Sequence, residues 1–320
     1  MKHVFIINPN AGKRDQTSRI YTMADRLREA YGQECLCMLT DRPGGATELS
    51  RKLAESGEEL RLYACGGDGT INEVANGVAG YDTVAMTCIP IGTGNDFLKN
   101  FGPDMAKFSD IDALWNGPEM PLDLIDCNGR LCLTIACNGL DARVAETVHR
   151  YDKSFGLTGQ SSYIASVAVN FLGSSLSRRW TVTVDDGEPM EEEFALVSLC
   201  NGRYYGGGFF PVPEARMDDG VLHALLIRKV TRLEFLRLIP LYAKGKHKDL
   251  PERLIRVVPA QQVRITADED IVTCLDGECF RSREVVMKRS EKRLRFFGPA
   301  GCSPNATAQG TVEPSFTIFS

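Results

Sequence analysis

No run of 18 apolar residues occurs in this 320-residue chain, which leaves no segment that reads as a bilayer-spanning helix. Histidine is scarce: His3, His149, His223 and His247 are too scattered for a metal site or a catalytic triad and read as structural or exposed. None of the eleven cysteines forms a CxxC pair, and most fall in apolar strand-like runs, so they read as buried, reduced thiols of a cytosolic protein. Positive charge is not in excess either. The formal net charge of -5 argues against nucleic acid as the main partner. No internal repeat is visible. The opening Met1-Lys2-His3-Val4-Phe5-Ile6-Ile7-Asn8 turns polar too soon for a secretion leader and reads as a first strand. What is present, at 43% hydrophobic content, can bury one large core or two.

The first informative stretch is Cys65-Gly66-Gly67-Asp68-Gly69-Thr70, between the apolar run 60–64 and Ile71-Asn72-Glu73-Val74-Ala75-Asn76-Gly77-Val78-Ala79. Apolar residues at 71, 74, 75, 78 and 79 recur at helical spacing, so the glycines stand where a strand turns into a helix. Such a turn lets backbone N–H groups approach a phosphate, and the first turn of the helix attracts anions. Asp68 would repel bare phosphate unless a divalent cation or a hydroxyl intervened. A tight turn capped by Asp and Thr is the plain alternative. A second turn has the same grammar: the buried strand 83–91 leads to Gly92-Thr93-Gly94-Asn95-Asp96-Phe97-Leu98-Lys99-Asn100. Two such turns lie at the carboxyl edge of one parallel sheet, where open α/β sheets bind ligands.

The pair GGDGT and IPIGTGNDF resembles the diacylglycerol kinase and lipid kinase family, which includes sphingosine and ceramide kinases; GGDGT alone is shared with NAD kinases. The likeness covers about residues 2 to 298. It implies ATP as phosphoryl donor and Mg²⁺ as its companion. It implies nucleotide contacts from the turn Asn8-Pro9-Asn10-Ala11-Gly12, from Thr40 at a strand end, from Gly66, Gly67, Asp68, Gly69, Thr70, Asn72 and Glu73, and from Gly92, Thr93, Gly94 and Asn95. It also implies that Asp68, Asp96 and Asp123 organise Mg²⁺ and water, although Asp123 between two leucines could simply close a hairpin.

Two further turns carry acids. Pro213-Glu214-Ala215-Arg216-Met217-Asp218-Asp219-Gly220-Val221 pairs a carboxylate with turn carbonyls, which suits a hard cation or an ordinary surface turn. The resemblance implies Mg²⁺ bound by Asp219 with the carbonyls of Arg216 and Val221. Leu275-Asp276-Gly277-Glu278 follows an apolar β run and is either a plain hairpin or a place for the base that a kinase acting on an alcohol needs. The resemblance implies Glu278 as that base, with Asp276 in the water and metal network.

Strands and helices alternate to about residue 118, after which strands dominate, beginning with a hairpin around Asn128-Gly129. The expectation is an α/β fold: a parallel nucleotide-binding domain over 1–120, a mainly antiparallel β-sandwich over 121–298, an active site in the cleft between them, and a Gly/Ser/Thr/Pro-rich flexible tail over 299–320. Helical inserts are expected at 141–173 and 231–244. The apolar patch 163–172 could be core or a lipid-facing entrance, and the basic stretch 241–248 a solvated helix end or a contact for anionic lipid. The activity expected is ATP-dependent phosphorylation of a lipid hydroxyl, diacylglycerol first, by a cytoplasmic protein peripherally associated with the inner membrane face. A homodimer is compatible with this. The alternatives are an NAD kinase-like phosphotransferase and a non-catalytic nucleotide- or lipid-binding regulator.

Overall fold

Apolar strands and amphipathic helices alternate through the first third of the chain: β1 (Lys2–Ile7), α1 (Thr17–Tyr31), β2 (Glu34–Leu39), α2 (Gly45–Ala54), β3 (Leu60–Gly66), α3 (Asp68–Val78) and β4 (Val84–Pro90). The computed structural model describes residues 1–155 and 175–306, and these fall into two compact units. The first comprises residues 1–124 and 290–306, the second residues 125–155 and 175–289.

In the first unit every residue of β3 is buried, as is all of β4 up to Ile89, the mark of central strands covered on both faces. β2 alternates exposed and half-buried residues and forms an edge. The four strands run parallel in the order β2-β1-β3-β4, and their registers pair Ile7 with Leu39 and with Cys65, and Cys65 with Ile89. All four carboxyl ends therefore finish level. Past β4 the chain forms two short helices, α4 (Asp96–Lys99) and α5 (Ile111–Leu114), and the strand β5 (Glu119–Leu122).

Two sequence expectations about this unit are corrected. The strand Leu294–Phe297 belongs here and not to the second domain: it runs parallel to β4 and antiparallel to β5, completing a mixed six-stranded sheet. Its hold is aromatic. Phe296 packs within 5.3 Å of Phe97 and 5.6 Å of Phe101 between ring centroids, and Phe297 lies edge-on to Tyr63 at 5.3 Å. The domain boundary thus falls after Leu124, and the chain returns at Ser290. Residues 299–306 are also part of this unit, with turns closed by Cys302 N–H to Pro299 O and Ala306 N–H to Ser303 O; residues 307–320 of the expected tail lie outside the described residues.

The second unit begins with the hairpin β6 (Ile125–Cys127) and β7 (Arg130–Cys132), whose turn residues Asn128 and Gly129 both take positive φ, 50° and 82°. That is the conformation Asn-Gly favours in two-residue hairpins. Then come β8 (Ile135–Gly139), α6 (Leu140–Phe155), β9 (Arg178–Val184), β10 (Met190–Cys200), β11 (Leu222–Arg228), α7 (Arg232–Ala243), β12 (Ile255–Ala260), β13 (Gln262–Leu275) and β14 (Glu278–Arg289). The strands pair antiparallel in the order β12-β11-β10-β8-β13-β14-β6-β7, with β9 also joined to β10 and β13. Strand β13 is long and carries a register shift between Thr266 and Ile271. Such a shift bends a strand, and here it lets β13 pair with β9 at one end and β8 at the other. Trp180, Phe194, Val197, Val263, Ile265, Val285 and Met287 fill the interior of this sandwich-like domain. A second apolar cluster joins Cys137, Cys274 and Phe209 to Tyr242 and Ala243 of α7. Of the expected helical insert 141–173, residues 156–173, including the apolar patch 163–172, lie outside the described residues.

Candidate active site

Three turns leave the level carboxyl ends of β1, β3 and β4, and the backbone ties each to the next. Asn8 N–H donates to Cys65 O at 3.0 Å, while the N–H groups of Ile91 and Gly92 donate to Gly66 O at 3.1 and 3.2 Å. Asn8 Nδ2 donates to Thr70 Oγ1 at 3.2 Å. At the end of β2, the buried Thr40 donates N–H and Oγ1–H to Ile7 O at 2.9 and 3.4 Å. Glycine is needed because the turns nearly touch. A Cβ on Gly92 would lie 2.4 Å from Gly67 Cα, and one on Gly12, whose φ is +78°, would lie 2.2 Å from Ile91 O. Residues 8–12, 66–70 and 91–95, with Thr40, are thus gathered along one sheet edge.

This edge fits a polyphosphate. Helix α3 opens directly on it with Gly67 as N-cap, so the N–H groups of Asp68, Gly69 and Thr70 have no carbonyl of their own helix to bond. Asn95 is held at φ 51° with Nδ2 donating to Gly92 O at 3.0 Å, and its buried Oδ1 has no hydrogen-bond partner among the described residues. Cradle, helix N-terminus and unsatisfied buried oxygen together make a place for an anionic ligand carrying hydroxyl or amine donors.

The acids expected at the same edge have other attachments. Asp68 Oδ1 accepts from Phe97 N–H at 3.0 Å, so it locks the GGDGT turn to the short helix α4. Asp96 pairs with Lys99, and the buried Asp123 with Arg293 at 3.4 Å. Asn72 is buried and accepts from Asn76 Nδ2 at 2.9 Å. Glu73 accepts from the N–H groups of Gly44 and Ala46 at 2.9 and 3.0 Å. It therefore serves as a cap for α2, a role its place in the motif does not suggest. No group of three metal-ligating side chains occurs among the described residues, so Asp68, Asp96 and Asp123 do not converge into a cluster.

In the second unit, Asp276 and Gly277 form a two-residue hairpin turn between β13 and β14, with φ of 47° and 105°. The two flanking acids differ sharply. Asp276 turns inward: it accepts from Leu133 N–H at 2.6 Å, from Thr134 N–H at 3.0 Å and from the Thr134 hydroxyl. Glu278, paired with Leu275 across the turn, is exposed. Thr134 is held from the other side as well, because its carbonyl accepts from Asn201 and Gly202 N–H at 2.8 and 2.9 Å. Asn201 and Arg203 are fully or almost fully buried there, and Asn201 Nδ2 donates to Leu133 O at 2.7 Å. Burial also lowers the Arg203 pKa. These two were missed in the sequence, where the only signal was a polar Asn-Gly-Arg at the end of a strand.

The turn expected to hold Mg²⁺ is less complete. Asp219 is exposed and its Oδ1 accepts from Val221 N–H at 3.0 Å, while Arg216 is exposed and Val221 half-buried. One carboxylate on a glycine turn can hold a hard cation when carbonyls and water complete the shell.

Comparison with known proteins bears on this geometry. Residues 2–127 match the model of the diacylglycerol kinase catalytic domain, and residues 134–297 that of the YegS C-terminal NAD kinase beta sandwich-like domain. The chain is similar to a diacylglycerol kinase of Bacillus subtilis (strain 168), 29% identical over 87% of this chain and 90% of that one. It is also 29% identical to a Pseudomonas aeruginosa protein named "Probable lipid kinase YegS-like", over 91% of this chain and 93% of the other. A crystal structure of a diacylglycerol kinase from Bacillus anthracis str. Sterne superposes with a TM-score of 0.65 at 21% identity, covering 93% of this chain and 96% of that one, and shares the fold.

Proposed function

This chain belongs to the diacylglycerol kinase family of lipid kinases, and on that premise we propose that it transfers the γ-phosphoryl group of ATP to the free hydroxyl of diacylglycerol, giving phosphatidic acid. The observation that carries the reading is the junction of the three turns, where Gly12 and Gly92 leave no room for a side chain and the first turn of α3 opens its backbone N–H groups on the edge where a polyphosphate would lie. The second unit supplies the base. Glu278 is exposed at the end of a hairpin whose other acid, Asp276, is fixed to residues 133–134, so the turn is held rigid while one carboxylate stays open to a substrate. As the hydroxyl oxygen bonds to the γ-phosphorus, the bond to the β–γ bridging oxygen breaks. ADP leaves, and the hydroxyl proton passes to Glu278.

Mg²⁺, when bound, screens phosphate charge. Asp219 with the Arg216 and Val221 carbonyls would hold one ion, and the rest of its shell would be water. Asp219→Ala should abolish any rise in melting temperature that Mg²⁺ gives the nucleotide-free protein, since an ion bound only to the folded form stabilises it. An undiminished rise would make residues 216–221 a plain turn.

The substrate is tested by ATP turnover over diacylglycerol, monoacylglycerol, sphingosine, ceramide, undecaprenol and phosphatidylglycerol. Diacylglycerol should exceed every other acceptor by roughly tenfold or more in kcat/KM. Preference for another lipid would replace diacylglycerol in this reading. Phosphorylation of NAD without any detergent or vesicle would replace the class, and failure to consume ATP with any acceptor would favour a binding module.

A further inference from the structure

Helix α7 carries one side that the core does not use. Its inward residues Tyr242 and Ala243 are buried in the apolar cluster with Cys274 and Phe209, and Phe235 and Leu238 pack on a neighbouring cluster with Val230 and Leu254. At 100° per residue, Leu233, Leu236, Arg237, Pro240 and Lys244 fall within one narrow arc on the opposite side, and all five are exposed. Leu233 and Leu236 are 58% and 42% exposed, against near-complete burial of most of the described leucines.

The chemistry of that arc is selective. It holds three apolar side chains and two cations but no carboxylate, in a chain with 42 acidic residues and a net charge of -5. The helix's one acid, Glu234, is turned away into a capping box with Thr231. An apolar strip edged by Arg and Lys on a short helix lying at a surface matches an anionic bilayer: leucines enter the acyl boundary and the cations meet headgroup phosphates. No described helix is long and apolar enough to cross a membrane, so contact through helices has to be of this lateral kind. The basic stretch after the helix is a weaker candidate. His247 is buried and pairs with Glu214 at 3.2 Å, and Lys248 pairs with the same carboxylate at 3.3 Å.

Resting on the lipid reading of the substrate, we propose that the outward face of α7 is the surface that docks on anionic phospholipid bilayers. The inner side of the same helix packs on the cluster that contains Cys274 and touches Cys279, the residues flanking the Leu275-Asp276-Gly277-Glu278 turn. Docking would thus seat the membrane on a helix that shares an apolar cluster with the strands on either side of the Glu278 turn.

The test is co-sedimentation of the full chain with vesicles of phosphatidylcholine and phosphatidylglycerol in equal parts, beside turnover of a short-chain diacylglycerol dispersed in water. Leu233→Glu with Leu236→Glu, and separately Arg237→Glu with Lys244→Glu, should each lower vesicle partitioning by roughly tenfold or more. Melting temperature and short-chain turnover should stay near wild type. High salt should weaken the wild type and narrow its difference from the charge variant. Wild-type partitioning by both variants overturns the proposal, and so does a wild type that phosphorylates the short-chain lipid but ignores vesicles. Conversion of a dimer to a monomer by the leucine variant, with vesicle binding unchanged, overturns it in favour of a subunit contact. Face-dependent vesicle binding without phosphorylation of any lipid upholds the docking surface and removes the kinase reading instead.

Discussion

The two units fix their candidate loops in opposite ways. The first brings three loops together by excluding side chains, so that Gly67 and Gly92 meet backbone to backbone and Gly12 fits against Ile91 O. The second fixes one loop by side-chain bonding, with Asp276 clamping residues 133–134 and leaving its neighbour Glu278 exposed. The difference suits the two tasks proposed for them. A polyphosphate is recognised by many N–H groups at close range, which requires bare backbone, whereas a proton is accepted by one carboxylate that has to be open but well placed.

The largest effect expected from breaking this contrast is at Gly92. Gly92→Val puts carbon 2.4 Å from Gly67 Cα, so the two turns have to separate. ATP affinity, measured by calorimetry on the folded variant, should fall by roughly 100-fold or more. The matching change in the second unit is Gly129→Ala, where φ is +82° but nothing lies within 4 Å of the new Cβ. It should cost only about 1–2 kcal/mol of stability and leave ATP binding intact. Equal ATP affinity in wild type and Gly92→Val would dissolve the cradle.

Next comes Asp276→Asn. Asparagine tolerates the positive φ at this position, so the change isolates the hydrogen bonds to Leu133 and Thr134 and sets an amide N–H₂ against their donors. Stability in urea should fall by about 2–4 kcal/mol. Glu278→Gln, at an exposed position, should not alter it by more than about 0.5 kcal/mol. An Asp276→Asn protein as stable as wild type would mean that the clamp is not structural.

A smaller effect separates the units by pH. In the first, burial lowers His3 from 6.5 to about 4, so its neutral form is favoured in the fold; this stability is full above pH 6.5 and is lost as pH falls toward 4. In the second, burial raises Asp141 from 3.8 to about 6, although hydrogen bonds from Tyr205 and Tyr242 oppose the shift. Its protonated form is favoured in the fold, so stability falls as pH rises from 3.8 to 6 and stays lower above that. Each effect is at most roughly 3 kcal/mol. Asp141→Asn should gain on wild type above pH 6 and lose that gain below pH 4. His3→Gln should do the reverse, gaining below pH 4 and matching wild type above pH 6.5. Urea midpoints across pH check both, and parallel curves for wild type and variants would remove the two groups from the pH dependence.

Much of the first unit was legible because a parallel sheet sends each apolar run into a contiguous turn at one edge, so GGDGT and GTGND carry their own context. The return of Leu294–Phe297 was not legible: an apolar strand reads the same whichever sheet it enters, and only the buried rings of Phe296 and Phe297 show where it belongs. Glu73 was read as a nucleotide contact because it stands in the motif, but its partners are Gly44 and Ala46, on another helix. Asp276 was read with the metal network for the same reason, though its partners lie more than 140 positions away. Asn201 and Arg203 gave no spacing signal. Their place depends on pairing of residues 201 and 202 with Thr134, a long-range contact that no local pattern encodes.

The central claim is a division of labour: the first unit holds ATP and Glu278 in the second takes the proton of the lipid hydroxyl. The most direct measurement is kcat with short-chain diacylglycerol beside ATP affinity for Glu278→Gln, a change that keeps size and shape but cannot accept the proton. Turnover should fall by roughly 10²–10⁴-fold, while ATP affinity and melting temperature match wild type. Near-normal turnover in that variant would contradict the account.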